Sequence, residues 1–220
     1  MIDVRYGTAA TPAPRVSVVT TVYDRSACLQ RCIRAMRHSR YRDFEHVIVS
    51  DAPGPATEAA IQAMVRAADD PARLRYLALS ARANDWGITP AAVGLRASMG
   101  EFVCFLSDDN AFLPEHLATL VAALDADPAL GFAYSSCRYA GRRELRAAPP
   151  AFARIDLGQP LFRRALFRAY LDDDLPFAEY AWDWKLIDAF LQRGVRWRHI
   201  DVPSFVFRLA AYPTLVEALA

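Results

Sequence analysis

Short apolar runs and helix-spaced apolar positions alternate along the chain at an even interval, which predicts a βαβα order. Val16-Ser17-Val18-Val19-Thr20 is rich in β-branched residues and predicts a strand. Leu29, Cys32, Ile33 and Met36 then recur every three or four positions, as the buried face of a helix does. His46-Val47-Ile48-Val49 predicts a second strand, Ile61, Met64 and Val65 a second helix, and Leu74 to Leu79 the start of a third unit. Phe102-Val103-Cys104-Phe105-Leu106 is apolar at every position, the pattern of a strand covered by helices on both faces, and is expected at the centre of the sheet.

Pro114 is expected to open a helix with Leu117, Leu120, Val121 and Leu124 on one face, and Phe132 to Ser136 to form another strand. From Gly141 to Pro160 the periodicity fades, which predicts an excursion from the fold. Leu161 to Tyr170 and Trp182 to Arg193 predict helices, Gly194 a C-terminal stop, and Trp197 to Ile200 and Phe205 to Phe207 short strands. A leader containing Pro and Ala, Thr8 to Arg15, precedes the first strand. The expected architecture is α/β: a mostly parallel sheet sandwiched by helices.

Composition narrows the function classes. With 220 residues, 54% hydrophobic and 23% charged, the chain has enough apolar surface for one core and is neither disordered nor a charged scaffold. Its 26 basic and 25 acidic side chains leave a net charge of +1, which argues against nucleic acid as a partner. The four cysteines, Cys28, Cys32, Cys104 and Cys137, match no zinc spacing and are expected as free, buried thiols. No signal peptide or membrane span is read from the sequence, and a reducing cytoplasm is the expected location.

Four polar segments each follow an apolar strand or lead into one, where an open α/β sheet presents its ligand crevice. In Ser107-Asp108-Asp109-Asn110, adjacent carboxylates repel each other unless a cation lies close, and their hard oxygens suit Mg²⁺ or Mn²⁺ completed by substrate phosphates. In Thr21-Val22-Tyr23-Asp24-Arg25, the Tyr23 ring can stack on a nucleobase beside a helix N-terminus, with Asp24 or Ser26 as the N-cap. Asp51 can accept a hydrogen bond from a base or ribose. Asn84-Asp85-Trp86-Gly87 forms the fourth segment. Neither G-x-G-x-x-G nor the P-loop lysine pattern is present, which disfavours dinucleotide oxidoreductases and P-loop enzymes.

The order of these segments resembles the family-2 inverting glycosyltransferases of the GT-A fold, from about Arg15 to Arg208. Val16 to Arg25 is similar to the family's opening strand and Pro-Thr-Tyr-Asn-Arg turn, with Thr21 and Val22 in place of Pro and Thr. Phe44 to Asp51 resembles the strand that ends in two aspartates, Ser50 replacing the first. Ser107-Asp108-Asp109 resembles the metal-holding acidic triplet with Ser107 at its first place, and Ala91-Ala92 stands where the family has Arg-Asn.

The resemblance implies one GT-A domain over residues 1–220, with a nucleotide-sugar half at about 15–110 and an acceptor half at about 111–220. It implies sugar transfer with inversion from a nucleotide-diphosphate donor to a hydroxyl or amine on a small-molecule or glycan acceptor, and it leaves room for a homodimer. Thr21, Tyr23, Arg25, Asp51, Asn84, Gly87 and Asp108 would bind the donor, and Asp109 with Asp108 would hold Mn²⁺ or Mg²⁺. Glu179-Tyr180-Ala181-Trp182-Asp183-Trp184 lies where the family carries its Glu-Asp-Trp-Asp motif; Ala181 stands at the place of the family's base, so Asp183 or Glu179 would serve as the base instead. The alternative is a catalytically impaired protein that binds a nucleotide sugar or a partner on the same scaffold.

Overall fold

The computed structural model describes residues 2–6, 13–68, 73–139, 143–168 and 181–218. Among the described residues, ten strands join into one sheet. Four of them build its first half: β1 (Ile2–Tyr6), β2 (Val16–Val22), β3 (Phe44–Ser50) and β4 (Leu74–Leu79). The central strand is β5 (Phe102–Phe105); β6 (Ala111–Phe112), β7 (Phe132–Tyr139), β8 (Arg143–Leu145), β9 (Pro160–Arg163) and β10 (Trp197–Val206) follow. The sheet order is β1-β4-β3-β2-β5-β9-β7-β10-β6, with β8 against β7.

The β4-β3-β2-β5 block is parallel throughout, with Val16 opposite both Phe44 and Phe102. Beyond β5 the sheet is mixed: β9 runs antiparallel to β5 and β7, β10 parallel to β7, and β6 antiparallel to β10. The α/β expectation therefore holds, and its parallel character belongs to the first half.

The described α-helices are α1 (Ser26–Arg37), α2 (Pro55–Arg66), α3 (Ile88–Ala97), α4 (His116–Ala126), α5 (Trp182–Gln192) and α6 (Pro213–Ala218). Alternation along β5 divides the core, because successive strand side chains point to opposite faces. Phe102, Cys104 and Leu106 pack with Cys32 and Met36 of α1 and Leu117, Leu120 and Leu124 of α4. Val103 and Phe105 pack with Ala91 and Leu95 of α3 and Leu186, Ile187 and Phe190 of α5. Gly94 lets α3 lie close on the sheet: a Cβ there would come within 2.3 Å of a Val19 methyl.

Several elements differ from the sequence reading. Ile2–Tyr6, ahead of the expected first strand, pairs with β4 as an edge. Leu161 to Tyr170, expected as a helix, begins with strand β9, and a 3-10 turn follows over Arg164–Phe167. Leu161 and Phe162 are both fully buried, and Phe162 faces Val103 on one side and Phe132 on the other, so pairing on both edges overrides any helical spacing. The two expected strands after Gly194 are one, β10, whose register against β7 shifts between Ile200 and Phe205, around the donorless Pro203. Helix α4 starts at His116 rather than at Pro114.

Candidate active site

Parallel strands deliver their carboxyl ends to one edge, so the loops after β2, β3, β4 and β5 meet there. Thr21, Tyr23, Arg25, Asp51, Asn84 and Gly87, six of the seven expected donor residues, line a single cleft of about 500 Å³. The seventh, Asp108, is fully buried beneath it and is reached through Arg25. Arg25 occupies the N-cap position of α1 without making a side-chain cap bond, so neither Asp24 nor Ser26 fills that role. Asp24 instead accepts a hydrogen bond from the Thr57 hydroxyl of α2 at 2.6 Å.

The acidic pair and Arg25 form one charged unit. The Arg25 guanidinium donates from Nε to Asp108 Oδ2 at 3.2 Å, from Nη2 to Asp108 Oδ1, and from Nη1 to Asp109 Oδ2 at 2.8 Å. Burial pushes the Asp108 carboxyl up to about 6; Arg25 pulls it down and Asp109 adds to the rise. Asp109 is 27% exposed, and its turn is braced by two backbone donors. Leu209 N–H reaches the Asp109 carbonyl at 2.8 Å, and Arg208 N–H reaches Asn110 Oδ1 at 2.9 Å.

On the other side of the cleft, Asp51 pins the loop after β4: its carboxylate accepts the Ala83 N–H at 2.7 Å and the Asn84 N–H at 3.2 Å. That loop holds Asn84 and Trp86 at φ of 54° and 58°, left-handed conformations that non-glycine residues rarely adopt. Gly87 follows at φ 84°, with room for a Cβ only 3.3 Å from the Thr21 hydroxyl. Arg82 lies over the Tyr23 ring at 3.8 Å, so one face of that ring carries a cation.

A second cavity, about 380 Å³, opens beside the first and contains Asp183 in the first turn of α5, with Trp86, Phe152, Trp182 and Trp184. Trp86 lines both cavities and divides them. Glu179, the alternative base, lies outside the described residues. Between the two cavities runs the segment before β9. Its Leu157 and Gly158 share a small cavity with Thr21, Ala91 and Ser107, and its Ala153 and Ile155 line the one with Asp183. Asp156, between those residues, accepts the Gly158 N–H at 2.8 Å. Burial pushes its carboxyl up to about 6, and the charges of Asp183 and Asp109 push in the same direction.

Sequence reasoning passed over Arg82, Trp86 as a wall, Phe152 and Asp156. An aromatic next to the left-handed Gly87 was a usable signal for Trp86; Asp156 carried none. The stretch from Arg138 to Arg168, rich in arginine, is tied to the fold where it is described. Arg163 donates to the Leu124 and Leu130 carbonyls, Arg164 to Gly100 and Arg138 to Pro203. The cysteines are free, and three of them are buried. A further cavity of about 220 Å³, bounded by Met36, Phe44 and Leu74, opens at the opposite edge of the sheet. No described helix is long and apolar enough to cross a membrane.

Residues 17–178 match the family described as glycosyl transferase family 2. The chain is 31% identical over 151 residues to the O-antigen biosynthesis protein RfbC of Myxococcus xanthus, covering 68% of this chain and 11% of that protein. It is 27% identical over 108 residues to the GalNAc(5)-diNAcBac-PP-undecaprenol beta-1,3-glucosyltransferase of Campylobacter jejuni, covering 49% of this chain and 34% of that one. The chain thus spans about a third or less of the length of these relatives. Among solved structures, it resembles the mannosyltransferase PcManGT of Pyrobaculum calidifontis, in complex with GDP-Man and Mn²⁺, with a TM-score of 0.70 and 20% identity over 90% of this chain and 58% of that one. S. aureus TarS 1-349 in complex with UDP-GlcNAc superposes with a TM-score of 0.68 and 18% identity over 88% of this chain and 58% of that one. At these identities the two structures show a shared GT-A fold.

Proposed function

Because the chain belongs to glycosyl transferase family 2, we propose that it transfers a sugar from a nucleotide-diphosphate donor to an acceptor hydroxyl or amine, with inversion and with help from a divalent metal ion. The observation that carries this reading is the convergence of Thr21, Tyr23, Arg25, Asp51, Asn84 and Gly87 on one cleft, from which Arg25 contacts both members of the acidic pair.

The nucleoside lies along Tyr23, with Asp51 and Asn84 beside it, and the diphosphate extends toward Arg25. A cation fits at the acidic pair: one guanidinium already contacts both Asp108 and Asp109, so two hard oxygen donors are close enough to share a positive charge. Asp109 and Asp108 would hold Mn²⁺ or Mg²⁺, which would supply positive charge to stabilise the departing diphosphate. Arg25, at the N-terminus of α1, adds a donor of the same sign to that leaving group.

Asp183 is the base. Its carboxylate accepts the proton of the acceptor hydroxyl as that oxygen attacks the anomeric carbon from the side opposite the nucleotide. The bond from the anomeric carbon to the diphosphate oxygen breaks, its electron pair leaves with the nucleoside diphosphate, and the configuration inverts. Ser107, Ala91-Ala92 and Ala181 depart from the family pattern without emptying any of these roles, because Arg25, Asp109 and Asp183 supply them.

Incubating the chain and Mn²⁺ with a panel of uridine and guanosine diphosphate sugars, each in the presence of a panel of simple glycoside and alcohol acceptors, tests the proposal. The expected result is nucleoside diphosphate release and, from an α-linked donor, a β-linked product by NMR. A retained configuration overturns the inversion, and inert donors across the panel overturn the activity.

A further inference from the structure

We propose that the cavity of about 220 Å³ at the opposite edge of the sheet is a second ligand site, for a small organic anion with a compact apolar body and a carboxylate or phosphate head. It lies where the end of α1 (Met36, Arg37), the start of β3 (Phe44, His46), Ala68 just beyond α2 and the start of β4 (Arg73, Leu74) come together. The cleft with Arg25 and Asp51 is built at the other ends of these strands, and no step of the proposed transfer uses this cavity.

The walls select the body of the ligand. Ile33, Met36, Phe44 and Leu74 line the space with aliphatic and aromatic surface, which favours an apolar occupant. Its volume holds about one or two rings and is too small for a nucleotide. One wall residue is polar: His46 is 2% exposed, and its Nε2 shares a hydrogen bond of 2.8 Å with the Thr20 hydroxyl. Its other ring nitrogen, Nδ1, has no hydrogen-bond partner among the described residues. Burial lowers the imidazole to about 4, so at neutral pH the ring is uncharged and has one hydrogen bond left to make. Buried polar atoms are ordinarily paired, and a polar atom on the body of a ligand supplies the partner here.

Charge selects the head. Among the described lining residues three are cationic, Arg37, Arg42 and Arg73, and none is anionic. Arg37 and Arg73 have further partners, and Arg73 also lies over the Phe44 ring at 5.7 Å, which sets its charge above one wall. The head group therefore falls to Arg42. Its Nη1 donates to the carbonyls of Arg37 at 3.1 Å and Ser39 at 3.4 Å, both neutral, and among the described residues no carboxylate pairs with it. Those two bonds hold the guanidinium at the cavity and leave its other N–H groups for the planar, two-point contact that a carboxylate or phosphate makes. A cation would be repelled at this rim, and a polyol would leave the apolar walls unmatched.

Ligand-detected NMR titrations of the full chain test the inference with phenylacetate, 4-hydroxyphenylacetate, indole-3-acetate and phenyl phosphate, against neutral 2-phenylethanol and inorganic phosphate. At least one aryl anion is expected to bind at least tenfold more tightly than either control, and comparison of the carboxylates with phenyl phosphate identifies the preferred head. Arg42→Gln should weaken that binding about tenfold and Arg42→Lys less. Arg42 is exposed, so the melting temperature should not change. Ala68→Phe, which places a ring in the cavity, should abolish binding, and excess UDP or GDP with Mn²⁺ should not displace the probe. Aryl anions that bind no better than 2-phenylethanol or inorganic phosphate overturn the inference, as does binding indifferent to Arg42→Gln or displaced by the nucleotide. Should Ala68→Phe fail to fold, Arg42→Gln and the displacement decide.

Discussion

The two halves of the sheet solve different problems with different kinds of sequence. In the β4-β3-β2-β5 block, parallel strands buried on both faces bring consecutive loops to one edge, and each loop supplies a polar group to one cleft. Past β5 the strands are mixed in direction, and the second cavity is assembled from distant pieces: Trp86 from the first half, Phe152 from the segment before β9, and Asp183 from the start of α5. A parallel block places residues by topology alone, whereas the other half places them by a folded strap, so the first cleft follows from the fold while the neighbouring cavity is free to differ.

This division predicts separable effects. The largest is expected for Asp183→Asn, which should lower turnover on the order of 10³-fold while leaving nucleoside diphosphate affinity intact. Steady-state rates beside calorimetric titration check it, and a parallel fall in nucleotide affinity would erase the boundary between the halves.

A smaller effect, on stability, is expected at the strap. In the native chain the Asp156 carboxyl, pushed up to about 6 by burial from an ordinary 3.8, holds a proton between those values that the unfolded chain has released. Its contribution to stability is therefore full below pH 3.8 and lost as the pH rises through about 6. Asp156→Asn keeps an oxygen for the Gly158 N–H and removes the charge, so it should stabilise the protein by about 2–3 kcal/mol at pH 7.5, with the gain shrinking toward pH 4. Thermal melts across that range read the difference, and a pH-independent offset would refute it.

The mildest effect belongs to Arg82→Ala, which uncovers one face of Tyr23 and should weaken nucleoside diphosphate binding by about threefold to fivefold. Turnover at saturating donor should be unaffected. An equal loss there would mean that the loop after β4 couples the two cavities.

The same division explains what the sequence disclosed. Phe102 to Leu106 could be read as the central strand because a strand buried on both faces is apolar throughout, and the acids after it stand out against that run. Pro160-Leu161-Phe162-Arg163 is as deeply buried in the sheet, yet it is short and has arginine at its end, so its local pattern resembled a helix start. Asp156 carries no local signal, since its nearness to Asp109 and Asp183 exists only once the strap is folded. The contact of Arg25 with both acids, 83 and 84 residues away, is of the same kind. Motif reading found the residues at the strand ends, and tertiary structure alone revealed how they pair.

The most direct test of the account is calorimetric titration of UDP and GDP into the native chain and into Asp109→Ala, with Mn²⁺ and with a chelator. The account predicts that Mn²⁺ strengthens binding of one of the two at least tenfold in the native chain and has no such effect in the variant. Binding that ignores the metal in the native chain, or a variant that still responds to it fully, would contradict the assignment of the acidic pair.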